Sequence, residues 1–241
     1  MSITRAKTKK SEIQEVLQAL ESLDYNGQKS TFHQQVKNQI LEYKIKFPLL
    51  EYFTQELASI IPSKSHLEFL DWVVDEDYIG SYVITGKLLQ LKLNANMEEV
   101  FSHAAKHMIK GDKWYSCDII SERVYGEGLL FDFEQAFFIL TAFTKHESPW
   151  VRRAIGVAIH YATKRKVGRE KASRLLDLTL SQIKDKHIEV KKGFGWGLKT
   201  LTKFHPEMVL TVQDQITHPE VSKYYARKMK MGLKLAGMAQ A

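Results

Sequence analysis

Apolar residues recur at every third or fourth position along almost the whole chain. Ile13, Val16, Leu17 and Leu20 form one such stripe, and Leu67, Leu70, Val73 and Val74 form another. Phe137, Leu140, Ala142 and Phe143 make a third. An α-helix turns once in 3.6 residues, so this spacing gathers apolar side chains on one face. The two-residue alternation of a half-buried strand is scarcely found. The pattern predicts an all-α protein with helices over 9–23, 30–43, 48–60, 65–76, 79–93, 96–110, 113–125, 131–145, 148–164, 168–184, 187–204, 206–216 and 219–235. Connections are short, so neighbouring helices are expected to pack antiparallel. Ser148-Pro149 offers a capping hydroxyl ahead of a proline in the first turn. His205-Pro206 and His218-Pro219 are read as helix starts in the same way.

An internal repeat narrows the architecture. Pro149-Trp150-Val151-Arg152-Arg153-Ala154-Ile155-Gly156 resembles Ile188-Glu189-Val190-Lys191-Lys192-Gly193-Phe194-Gly195, 39 residues on. A fainter copy, Lys223-Tyr224-Tyr225-Ala226-Arg227-Lys228-Met229, follows 36 residues later when the basic pairs are aligned. A period near 40 is that of two-helix HEAT-like units, which stack into a curved α-solenoid with a concave inner face. The expectation is one HEAT-like repeat domain over 1–241, with residues 1–8 disordered.

Charge adds a partner. The sequence has 35 Lys and Arg against 28 Asp and Glu, a formal +7. A single basic pair is usually a solvated helix face. Three pairs at one phase of successive repeats point to a surface for a polyanion, with a salt slope approaching about −5 if all six cations meet phosphates. The single cysteine, Cys117, excludes an intramolecular disulfide and favours a reducing compartment. Met1 to Lys10 is basic without the apolar core of a signal peptide. No apolar run reaches the roughly 18 residues of a membrane span. A cytoplasmic protein off the membrane is expected, and nothing demands an oligomer, so a monomer is taken.

Candidate chemistry is sparse. Trp114 and Asp118 stand four apart, so indole and carboxylate share a helical face and can hold a cation between them. In isolation such a pair is more often a core aromatic and a surface acid. Gly193, Gly195 and Gly197 surround Trp196, at about 1 kcal/mol each relative to alanine. They permit either tight helix packing or close approach of a ligand, and the sequence leaves both open. His103 and His107 are spaced like two helical metal ligands, but no third ligand stands out, and no metal or cofactor is expected. Lys164-Arg165-Lys166 reads as a solvated helix end. No phosphate loop, dinucleotide fingerprint or nucleophile elbow occurs.

Taken together, three stretches resemble the DNA alkylation repair family, the AlkD-type HEAT-like DNA glycosylases. Trp114 through Gly126 looks like its Trp–Asp catalytic helix, and Trp150-Val151-Arg152-Arg153-Ala154 like its arginine helix. Val190 through Pro206 looks like its second-tryptophan helix, and the likeness is best over 95–230. The resemblance implies Asp118 as the catalytic carboxylate, Trp114 and Trp196 as aromatic walls, and Arg153 on the DNA backbone near the lesion. Lys113, Arg152, Lys191, Lys192, Arg227 and Lys228 are the expected further DNA contacts. It implies hydrolysis of the N-glycosidic bond of cationic N3- or N7-alkylated purines in duplex DNA, without a metal and without a deep base pocket. Near the N-terminus the sequence departs from the family pattern, with Lys44 at an expected glycine and Glu51 at an expected arginine. A DNA-binding protein that cuts no glycosidic bond, and a protein–protein scaffold, are the competing readings.

Overall fold

The helices expected from the apolar stripes form, and the stripes from Ile13 to Leu20 and from Leu70 to Val74 are buried as read. Over 133–143 the buried face is instead Phe133, Ala136, Ile139 and Leu140, and Ala142 of the expected stripe is exposed. The computed structural model describes residues 5–238. By its own contacts the chain falls into two compact units, Met1–Asn94 and Ala95–Ala241, where the sequence suggested one domain.

The first unit holds α1 (Lys10–Glu21), α2 (Lys29–Val36), α3 (Phe47–Ile60), α4 (His66–Asp75) and α5 (Ile79–Gln90). Ile13, Leu20, Phe32, Phe53, Phe69 and Tyr82 are fully buried within it. Each contributes roughly 1.5–3 kcal/mol by leaving water. Beyond Val36 the helix continues as a π-helical turn, Lys37–Leu41. Two short strands, β1 (Ala6–Lys7) and β2 (Lys44–Ile45), pair in parallel. This corrects the expected disorder over 1–8 for Ala6 and Lys7; residues 1–4 lie outside the described residues. A two-residue strand leaves no alternation to read.

The second unit holds α6 (Met97–Gly111), α7 (Trp114–Ser121), α8 (Glu127–Phe131), α9 (Phe133–Phe143), α10 (Pro149–Lys164), α11 (Arg169–Gln182), α12 (Ile188–Phe204), α13 (Pro206–Leu210), α14 (Gln213–Thr217) and α15 (Lys223–Leu235). α10 packs along α12, and α12 along α15. Side-chain bonds between helices repeatedly join residues 33 to 40 apart, such as Ser121 to Ala154, Arg153 to Glu189 and His160 to Thr200. That interval matches the period of the sequence repeat. The fold is thus helical throughout, apart from the β1–β2 pair among the described residues. Among those residues no helix is long and apolar enough to cross a membrane.

Three boundaries differ from expectation. The helix begun at Trp114 does not end at 125 but passes through a π-helical turn, Glu122–Gly126, into α8. Gly126 sits there against the Tyr161 ring, where a Cβ would meet ring carbon at 2.6 Å. The helix expected over 206–216 breaks at Thr211 and Val212. His218-Pro219 starts no helix; α15 begins at Lys223, where the Ser222 hydroxyl accepts from the Tyr224 N–H. Ser148 precedes α10 as expected, with Pro149 in the first turn, but its side chain makes no capping bond.

Candidate active site

α7 sets the position of the first two site residues. Asp112 adopts the left-handed region (φ 46°) at the end of α6, and Lys113 returns to extended backbone before Trp114 opens α7. Trp114 is 59% exposed, whereas Asp118, one turn later, is only 9% exposed. The Trp114 ring meets Tyr115 edge-on at 5.6 Å. Two side chains tie α7 to α10: the Cys117 thiol donates to the Trp150 carbonyl at 3.2 Å, and the Ser121 hydroxyl to that of Ala154 at 2.7 Å.

Asp118 is held by a fork from Arg153, which is 5% exposed. Arg153 Nε donates to Asp118 Oδ1 at 2.9 Å, and Nη2 donates to Oδ2 at 2.8 Å. Its remaining Nη1 donates to Glu189 Oε2 at 2.8 Å, and Lys192 Nζ donates to Glu189 Oε1 at 2.6 Å. Four charges of alternating sign thus link α7, α10 and α12. Burial is the largest influence on the Asp118 carboxyl and raises its pKa, while the arginine fork pulls the other way. The bidentate geometry is the strong form of such a pair.

The glycines explain how these helices come so close. A Cβ on Gly193 would lie 2.3 Å from the Arg153 carbonyl oxygen, and one on Gly156 would lie 2.2 Å from the Gly193 carbonyl carbon. A Cβ on Gly197 would lie 2.8 Å from the Gly156 carbonyl oxygen. Gly195 plays the same part toward α15, against the Tyr224 ring at 2.3 Å. Of the two readings left open by the sequence, helix packing is the one these contacts meet. The helical penalty of glycine is offset by bringing Glu189 within reach of Arg153.

Trp196 is half-buried on α12. The His160 ring of α10 stacks on its indole with centroids 4.0 Å apart and planes at 21°. His160 Nδ1 is 2.7 Å from Thr200 Oγ1, and burial, aided by Lys164 and Lys199, pushes the imidazole pKa down to about 4.

The expected cations divide. Arg152, expected on DNA, is committed inside the protein: Nε donates to Asp185 Oδ2 at 2.9 Å, and Nη1 to the carbonyls of His146 and Glu147 at 2.6 and 2.9 Å. Arg153, expected on the DNA backbone, instead spends its donors on Asp118 and Glu189. Successive helical residues point about 100° apart, and here Arg152 turns to Asp185 while Arg153 turns to Asp118 and Glu189. Lys192 shares its charge with Glu189. Lys113 lies 5.8 Å from the centre of the Tyr115 ring. Lys191, Arg227 and Lys228 have no acidic partner among the described residues. The Lys228 and Arg227 cations face the Tyr224 ring at 5.0 and 5.9 Å. Lys199 is kept below the usual lysine range by burial and then by Lys228 and Lys203, a cluster of like charges.

Four residues of this site escaped the sequence reading. Glu189, His160 and Thr200 join the groups just described. Glu122 follows Asp118 by one turn, and burial raises its carboxyl. Helical spacing alone signalled three of them: Glu122 lies four beyond Asp118, Thr200 four beyond Trp196, and His160 seven beyond Arg153 on the same face of α10. His103 stands 3.8 Å from Glu99. Among the described residues no group of three or more His, Cys, Asp or Glu is placed to hold a metal.

Comparison with known proteins returned one match. No curated protein and no solved structure matches the chain. The family described as DNA alkylation repair enzyme matches residues 16–229, which takes in both units and the departures at Lys44 and Glu51 as well as the stretch from 95 onward. The chain belongs to the DNA alkylation repair enzyme family, whose task, the repair of alkylated DNA, makes DNA its partner.

Proposed function

We propose that this protein is a monofunctional DNA glycosylase that releases cationic N3- or N7-alkylated purines from duplex DNA, acting as a cytoplasmic monomer on a curved HEAT-like solenoid. The observation that carries the reading is Asp118, a buried carboxylate fixed by a two-pronged arginine one helical turn from the exposed indole of Trp114. The α10–α12–α15 stack, with its period near 40 residues, supports the repeat architecture.

The chemistry follows from the leaving group. An alkylated purine already carries positive charge, so the bond to its sugar breaks without a general acid, a metal or a cofactor. Positive charge grows on the deoxyribose as the bond opens. Asp118 stabilises that charge and orients the attacking water, and the indoles of Trp114 and Trp196 attract the cationic base through their faces. Arg153 takes the role of holding Asp118 in one geometry rather than gripping phosphate. Lys191, Lys192, Arg227 and Lys228, with Lys113, remain the proposed backbone contacts.

The assay is release of methylated purine from N-methylated duplex DNA by the wild type and Asp118→Asn side by side. Loss of one electrostatic stabiliser of this kind costs about 10²–10³ in rate, with DNA affinity nearly unchanged. Equal release by both proteins removes Asp118 from the mechanism. A second reading, a DNA-binding protein that cuts no glycosidic bond, is favoured by one observation: both Asp118 oxygens already accept from Arg153. Absence of release by the wild type across several alkylated substrates would establish it.

A further inference from the structure

His160 has no part in the chemistry above, yet it lies directly behind one of the proposed aromatic walls. Its ring is nearly parallel to that of Trp196, 4.0 Å away, so it covers one indole face. The Thr200 hydroxyl lies 3.2 Å from the Trp196 carbonyl oxygen and 2.7 Å from His160 Nδ1, within hydrogen-bond reach of both. Ring and backbone of Trp196 are thus tied through the same two side chains. The indole is held from behind and from its own helix.

The charge of the backing ring matters as much as its position. The face of an indole attracts cations because its π-system carries a negative quadrupole. An imidazolium on the rear face would draw on that same density and repel a cationic base in front. The charged groups facing His160 are Lys164 from α10 and Lys199 from α12, both positive, and burial acts with them to keep the imidazole neutral down to about pH 4. Lys164 also acts on the Glu122 carboxyl, and among the described residues no acid is found to act on the His160 ring itself.

We propose that His160 is a positioning residue for Trp196, a neutral stacked ring that fixes which indole face meets the damaged base and leaves that face free to attract a cationic purine. The proposal rests on the glycosylase reading for its consequence in rate, but the stack itself is testable without it.

Two variants separate the ring from the hydrogen bond. His160→Phe keeps a stacked aromatic and loses the bond to Thr200; His160→Gln keeps a donor for Thr200 and loses the ring. In the full chain the indole N–H resonance of Trp196, assigned by its loss in Trp196→Phe, reports the stack through ring-current shift. The expected result is a wild-type resonance position in His160→Phe and a displaced one in His160→Gln. Release of 7-methylguanine from methylated duplex is expected to fall roughly tenfold in kcat for His160→Gln, the scale of one cation–π contact, and to change little for His160→Phe. An unmoved resonance in His160→Gln, or equal loss of rate in both variants, overturns the positioning role. If the wild type releases no base, the glycosylase reading fails, and the resonance alone decides whether His160 orients Trp196.

Discussion

The same histidine–tryptophan stack occurs once in each unit, and its surroundings differ. In the first unit His33 of α2 stacks on Trp72 of α4, centroids 4.0 Å apart and planes at 11°. In the second, His160 stacks on Trp196 with nearly the same geometry. Around the first stack, Lys29 pairs with Glu68 at 2.8 Å and Lys37 with Glu76 at 2.6 Å. Those acids stand four residues before and four after Trp72. The corresponding neighbours of Trp196 are Lys192 and Thr200. The first stack is flanked by two lysine–glutamate pairs; at the second, Lys192 is shared with Glu189 of its own helix and Thr200 is uncharged. Burial lowers both histidines, but Glu68 and Glu76 oppose the shift at His33, whereas only lysines act beside burial at His160. The stack is therefore common to both units, and the charges that flank it are not.

Three experiments test that division, beginning with the largest effect. Arg153→Ala leaves the buried Asp118 without its cation and is expected to lower stability by about 3–5 kcal/mol. Lys29→Ala, which breaks the half-exposed pair with Glu68, should cost no more than about 1 kcal/mol. Denaturant titration of both variants checks the contrast, and similar losses would mean that the two units use their ion pairs alike. Gly193→Ala should be destabilising by about 1–3 kcal/mol, because the added methyl forces α10 and α12 apart. Gly80→Ala in α5 places its methyl 3.7 Å from the side chains of Leu41 and Leu50. There alanine's better helix propensity should gain at most about 1 kcal/mol. A Gly193→Ala protein as stable as wild type would show that the close contact is not needed.

The smallest effect is on pH dependence. The folded-state pKa of His160, about 4, lies below its ordinary 6.5. The unfolded chain binds this proton first as pH falls, so the contribution to stability is complete above about 6.5 and is lost as pH drops toward 4. His160→Phe should flatten the melting temperature across that window more than His33→Phe does. Equal flattening by both would place the two histidines in equivalent fields.

Much of the helical layout and part of the site could be read from spacing. Trp114 and Asp118 were paired by their four-residue interval, and the stripes at Ile13 to Leu20 and Leu67 to Val74 marked α1 and α4. Contacts fixed by the third dimension were not legible. Nothing local to Arg153 shows that its partners lie 35 and 36 residues away. The glycines around Trp196 were ambiguous because close approach looks the same in sequence whether a ligand or a helix arrives. The π-helical turn at Glu122–Gly126 escaped because one extra residue scarcely disturbs an apolar stripe. The split of Arg152 from Arg153 is equally hidden, because Asp185, Asp118 and Glu189, which draw them apart, lie 33, 35 and 36 residues away.

The alternating series from Asp118 to Lys192 has a consequence for how the site responds to salt. Of its four members, only Lys192 keeps half its side chain in water; the others range from 7% to 15%. Dissolved ions therefore screen this series chiefly at its Lys192 end and weaken the Asp118–Arg153 pair much less.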